Sequence, residues 1–185
     1  MPADTMDKIL RGIYSADSEG TALPSDALGM YFPRTNSLGI SPQLIQDAAR
    51  DAVAAKGLMG TIAHEMWHAQ DKTKGYTQNL PSLFVGIRQG GGIGSPLSVE
   101  LGDVTAELFD AWDSGSELGQ VFNYPLTYLQ VYLDTKDGNL VSLSETIKKE
   151  MFAQLGAIYI TDPALLENGA PKAYKMMQDI QRDPR

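Results

Sequence analysis

The stretch Thr61-Ile62-Ala63-His64-Glu65-Met66-Trp67-His68-Ala69-Gln70 holds both histidines of a 185-residue chain, four positions apart, with a glutamate directly after the first. On a helix, residues i and i+4 lie one above the other with β-carbons roughly 5–6 Å apart, so both imidazoles reach a single metal ion. Zinc accepts neutral imidazole nitrogen at about 2.0–2.1 Å in a tetrahedral shell. Glu65 projects from an adjacent part of the same surface, where it can take a proton from a water instead of binding the metal. The flanking residues Ile62, Ala63, Met66, Trp67 and Ala69 are uncharged and apolar, as a helix half-buried beside a cleft requires. The local pattern therefore predicts a helical metal site with a neighbouring base.

The segment resembles the zincin metallopeptidases through His64, Glu65 and His68, over about a dozen residues. Gln70 departs from the family's apolar flank. The resemblance implies that His64 and His68 bind zinc and that Glu65 is the general base. The longer metzincin pattern fails, because Asp71 and Lys74 occupy its Gly and His positions. With no third histidine in the chain, a third protein ligand is expected to be a carboxylate, which points to the gluzincin-like branch. Short chains with a lone H-E-x-x-H are also similar to minimal bacterial or phage metallopeptidases, including effector toxin domains.

The candidate third ligands lie downstream. Ser95-Pro96 reads as a helix start, and Leu97, Leu101, Val104, Leu108 and Trp112 then follow the 3.6-residue period. Glu100, Asp103, Glu107 and Asp110 share another face, where they could form a solvated acidic surface or hold a cation. At about 100° per residue, Glu100 and Glu107 border the apolar stripe, whereas Asp103 and Asp110 lie further out. Glu107, in mid-helix, ranks first, ahead of Glu100 and Asp103. Asp103, Asp110 or Asp71 is expected to orient a metal-bound imidazole.

Composition bounds the rest. One domain spanning 1–185 is expected, long enough for a sizeable core. The absence of cysteine removes disulfides and thiolate metal sites. A net charge of −8 argues against nucleic acid as a partner. Neither a signal peptide nor a membrane-spanning run is visible, so a soluble protein, cytoplasmic or exported without a signal, is expected.

The fold class expected is mainly α with a small β-hairpin, a compact zincin-like α+β domain. Asp4–Tyr14 reads as a helix. Leu28–Phe32 and Ser37–Ile40 read as strands around Pro33-Arg34-Thr35-Asn36, and Ser41-Pro42 opens a helix through Ala54. Gly57 and Gly60 are expected to separate that helix from the histidine helix or to bend it. Gly86–Gly94 lacks the ending of a phosphate loop and reads as a connector. Tyr124, Tyr128 and Tyr132 form a helical stripe; one of them, Tyr76 or Arg88 is a candidate oxyanion donor. Ser144–Ile160 and Pro171–Gln181 are closing helices.

The leading expectation is a zinc-dependent peptidase acting on a peptide or protein, peptidoglycan peptides included. A catalytically inactive binding module on the same scaffold, and a structural helical protein with a fortuitous motif, are the alternatives.

Overall fold

The hairpin read from the sequence forms as β2 (Gly29–Phe32) and β3 (Ser37–Ile40), paired antiparallel with Gly29 opposite Ile40 and Phe32 opposite Ser37. Its turn is fixed by Asn36, whose φ of 53° suits a residue that tolerates the left-handed region. The Tyr31 phenol donates to Asn36 Oδ1 at 2.7 Å, tying the turn to the strand. These features belong to a computed structural model that describes residues 12–15, 23–24, 27–79, 85–88, 98–135 and 140–182.

A further strand, β1 (Gly12–Ser15), runs parallel to β3, so the sheet order is β1-β3-β2 and β2 is an edge. The expected N-terminal helix is thus corrected at residues 12–14, which pair with Ser37–Gly39; positions 4–11 lie outside the described residues. Sheet pairing outweighs the helical period of so short a segment.

Two helices follow. The first, α1 (Pro42–Ala48), stops well before Ala54. The histidine helix α2 (Ala52–Lys74) starts at Asp51, whose carboxylate accepts from Ala54 N at 3.0 Å, and ends on Gly75 at φ 67°. The break expected at Gly57 and Gly60 therefore falls at Ala49–Asp51, where a side-chain cap is available. Both glycines continue as helix.

After the short α3 (Tyr76–Asn79), β4 (Val85–Arg88) pairs antiparallel with β5 (Ser98–Leu101). This overturns the expected helix over Ser98–Leu101; its start at Ser95-Pro96 lies outside the described residues. Pairing with β4 takes Ser98–Leu101, Gly102 becomes the N-cap, and the helix α4 runs Asp103–Asp113. Glu100 consequently stands in a strand opposite Gly86. Of the expected connector Gly86–Gly94, residues 86–88 are strand and 89–94 lie outside the described residues.

The remaining helices are α5 (Glu117–Val121), α6 (Asn123–Thr135), α7 (Leu140–Thr161), α8 (Pro163–Gly169) and α9 (Pro171–Arg182). The expectation of a mainly α chain with a small β component holds. Trp67, Leu108, Phe122, Leu126, Leu129, Met151, Phe152 and Leu155 are fully buried in one core between α2, α4, α5, α6 and α7. On α6 the buried positions are Leu126 and Leu129, while Tyr124 is 62% exposed, so that tyrosine is not part of a half-buried stripe. Among the described residues, no helix is long and apolar enough to cross a membrane.

The pairing of α2 with α7 positions the candidate site. Lys56 meets Asp162, His64 meets Gln154 and His68 meets Glu150, so the two helices run antiparallel. Their separation is set by Gly156, where a β-carbon would come within 2.1 Å of the Trp67 ring. The indole is 1% exposed and stacks edge-on to Phe152 at 5.4 Å, so it has nowhere to retreat.

Gly156→Leu is expected to destabilise the fold by about 1–3 kcal/mol through overpacking, read as a lower urea midpoint. Gly57→Ala is expected to add roughly 0.5–1 kcal/mol, since a helix interior favours alanine. A β-carbon at Gly57 meets nothing within 4 Å.

Candidate metal centre

The helix register of α2 puts Thr61, His64, Glu65, His68 and Lys72 along one face, where they line an open cleft of about 1170 Å³. The facing helix α7 buries Ile147, Met151, Phe152, Leu155 and Ile158. Its cleft side carries Thr146, Lys149, Glu150, Gln154, Ala157 and Thr161. Antiparallel packing then brings Glu150 between the two histidines.

His64 Nε2 lies 3.3 Å from Glu150 Oε2, His68 Nε2 lies 3.4 Å from Glu150 Oε1, and the two Nε2 atoms are 3.1 Å apart. A tetrahedral zinc with ligand bonds of about 2.0–2.1 Å requires ligand atoms about 3.3 Å from one another. The two imidazole nitrogens are spaced near that edge length, and each faces a different oxygen of the Glu150 carboxylate. His64, His68 and Glu150 form a group able to hold a metal ion among the described residues.

Gln154, one turn beyond Glu150, sets the orientation of the first ring. His64 Nδ1–H donates to Gln154 Oε1 at 3.1 Å, which turns Nε2 toward the cluster. Here a neutral amide takes the orienting part that sequence reasoning gave to an acid.

Electrostatics make the three groups interdependent. Burial raises the pKa of Glu150, but hydrogen bonds from His64 and His68 and their charges outweigh it and hold the carboxyl down to about 2. Burial likewise disfavours charge on His68; the Glu150 hydrogen bond and charge, helped by Glu65 and Asp71, prevail and raise its pKa above the ordinary histidine value.

Glu65 takes no part in that cluster. Its Oε2 accepts from Tyr31 N–H at 2.8 Å, and the residue is 8% exposed. The contact requires β2 to approach α2 closely at Gly29, where a β-carbon would lie 2.6 Å from Thr61 Cγ2 and 3.3 Å from Glu65 Cγ. The edge strand therefore both borders the cleft and fixes the carboxylate beside the histidines. Ser41 N donates to Leu28 O on the inner side of the hairpin. By alternation, the main-chain groups of Gly29 and Tyr31 point away from β3.

Three sequence expectations are corrected here. Glu107 does not join the histidines: its carboxylate accepts from Lys172 N at 3.0 Å and Ala173 N at 3.1 Å, capping the amino end of α9. That end has free N–H groups and a favourable dipole, and it takes the acid that the helical wheel placed at the border. Asp103 and Asp110 are exposed on α4. Asp71 is buried, but its two oxygens accept from Thr77 N and Thr77 Oγ1, both at 2.7 Å, so it fastens α3 to α2 instead of orienting a ring.

Of the candidate oxyanion donors, Tyr76 packs on Phe152 at 5.6 Å, and Tyr124 stands on the cleft wall. The side chains of Arg88, Tyr128 and Tyr132 lie outside the described residues.

No protein-family model, curated protein or solved structure matches this chain.

Glu150→Ala is expected to lower zinc affinity by well over tenfold, because a charged donor leaves a site with few substitutes. Gln154→Ala should cost about 10–100-fold through loss of ring orientation. Glu107→Ala should leave zinc binding unchanged and cost about 1 kcal/mol of stability through loss of the α9 cap. Competition with a chromophoric chelator and urea unfolding measure the two effects separately.

The pH dependence of the metal-free protein follows from the same shifts. Glu150, with its pKa lowered from 4.5 to about 2, contributes stability that is present above pH 4.5 and lost as pH falls toward 2. His68, with its pKa raised from 6.5, contributes stability present below pH 6.5 and lost as pH rises through the raised value. Thermal melts of metal-free protein should show this contribution at its greatest between pH 4.5 and 6.5. Glu150→Gln should flatten it.

Proposed function

We propose that this protein is a zinc-dependent peptidase of the gluzincin-like type, with His64, His68 and Glu150 as metal ligands and Glu65 as general base. The observation that carries the reading is the cluster itself: the two Nε2 atoms lie 3.1 Å apart, near a tetrahedral edge, and each faces one oxygen of the Glu150 carboxylate, at 3.3 and 3.4 Å. A second carboxylate, Glu65, stands alongside in the same cleft. Zinc held there would act as a Lewis acid and lower the pKa of a water toward about 7.

The chain's own groups divide the remaining work. Glu65 has one oxygen occupied by Tyr31 N–H, which fixes the carboxylate plane and leaves the other oxygen to accept a proton from water. It would then deliver that proton to the leaving nitrogen. The Glu65 side chain is nearly buried, so its orientation costs little to hold at the moment of reaction.

The outward main-chain groups of the β2 edge suit an extended peptide, which would add as a further strand beside the histidines. Gly29 N–H, Gly29 C=O and Tyr31 C=O face that position. Leu28, Val121 and Tyr124 line the cleft and are 56%, 37% and 62% exposed. They offer apolar surface to substrate side chains.

Purified protein is expected to carry one zinc per chain by elemental analysis and to cleave casein or a mixed peptide library. Glu65→Gln should keep the zinc and lose hydrolysis by several orders of magnitude. An unimpaired Glu65→Gln protein contradicts the mechanism. Zinc binding without cleavage in the wild type would favour a binding module.

A further inference from the structure

The two ends of the cleft differ in charge. At one end, Lys56 is paired with Asp162 at 3.6 Å, and Glu117 lies nearby on α5, which packs against α8. At the other end, Lys72 stands on α2 one turn beyond His68, and Lys149 stands on α7 next to Glu150. The antiparallel pairing of α2 and α7 that sets Lys56 against Asp162 and His68 against Glu150 places both lysines beyond the metal ligands, on the same side. Both are exposed and both line the cleft.

The acids next to them in sequence, Asp71 and Glu150, have partners of their own. Asp71 spends both oxygens on Thr77, and Glu150 is held between the two histidines. Among the described residues, the salt bridges and hydrogen bonds that fix the neighbourhood include no partner for the Lys72 or Lys149 ammonium. A chain with net charge −8 thus directs two cations into its cleft beside the ligand cluster. Neither ammonium is matched by an ion pair among the described residues, and an anion bound in the cleft beside them would gain from both.

We infer that the Lys72–Lys149 end of the cleft is a subsite for a carboxylate of the peptide substrate, an acidic side chain or a free C-terminal carboxylate. This deepens the peptidase reading and rests on it. Ammonium groups at an open site recognise a carboxylate as point charges, so the subsite selects charge and tolerates differences in side-chain length. The subsite would also make productive binding weaken as salt rises, because exposed ion pairs are screened.

The test uses fluorescent peptides in three matched forms: one with an internal Glu, one with Gln in its place and an amidated end, and one with Gln and a free C-terminus. Affinity is measured by anisotropy on zinc-loaded Glu65→Gln protein, with kcat/KM on the wild type in parallel. At least one carboxylate-bearing peptide should bind roughly fivefold to tenfold tighter than the neutral one, the sum of two exposed ion pairs. The arm that shows the preference identifies the source of the carboxylate. Lys72→Glu/Lys149→Glu should abolish the preference while zinc content stays unchanged.

Equal binding of all three peptides by the parent protein overturns the inference, as does a preference that survives the double substitution. If the lysine-dependent preference is present and no peptide is cleaved by the wild type, the carboxylate subsite stands and the peptidase reading fails.

Discussion

The packing of Trp67 into the space left by Gly156 holds α2 and α7 at the distance on which the site depends. The indole sits one residue before His68, and the glycine two residues after Gln154. Any side chain at Gly156 would meet the ring at 2.1 Å. Because the two helices run antiparallel, one close contact also aligns the pairs further along: His64 with Gln154 and His68 with Glu150. The hydrophobic core does more here than stabilise. It sets the register that brings an imidazole pair and a carboxylate, 82 positions apart in the chain, to within 3.4 Å.

Once that register is set, the acids of the region differ by their partners. Glu150 is held by two imidazoles, Glu65 by a main-chain N–H of the edge strand, Asp71 by Thr77 and Glu107 by the start of α9. Each partner satisfies a carboxylate in a different way and so assigns it a different task. An ion-pairing acid becomes a candidate ligand. A carboxylate with one oxygen tied back and one free becomes a candidate base. Fully bonded ones become staples. The same arithmetic leaves Lys72 and Lys149 facing the cleft without a carboxylate to match them.

The histidine helix and the hairpin were legible because their signals are local: spacing of four on a helix, and a polar turn between short alternating runs. Glu65 was legible for the same reason. The carboxylate that meets the two histidines was not. Helix geometry correctly identified Glu107 as a border residue, but it carried no information about what lies across the border, and α9 does. Glu150 follows Lys148 and Lys149 and reads as part of a solvated charged patch. The signal that could have found it is the uncharged run Met151–Ile160 directly after, with Gln154 one turn on. The expected helix failed at Ser98–Leu101 because a four-residue strand pairing is a non-local fact. Gly57 and Gly60 misled as breakers because Asp51, a few residues earlier, provides a true cap.

Anomalous-difference crystallography of the zinc-loaded protein, with data on both sides of the zinc edge, tests the central assignment most directly. The account predicts one peak about 2.0–2.2 Å from Nε2 of His64, Nε2 of His68 and a carboxylate oxygen of Glu150, with Glu65 outside bonding distance and still accepting from Tyr31 N–H. A peak ligated by Glu107 or Glu65 in place of Glu150, or no peak between the two histidines, would contradict it.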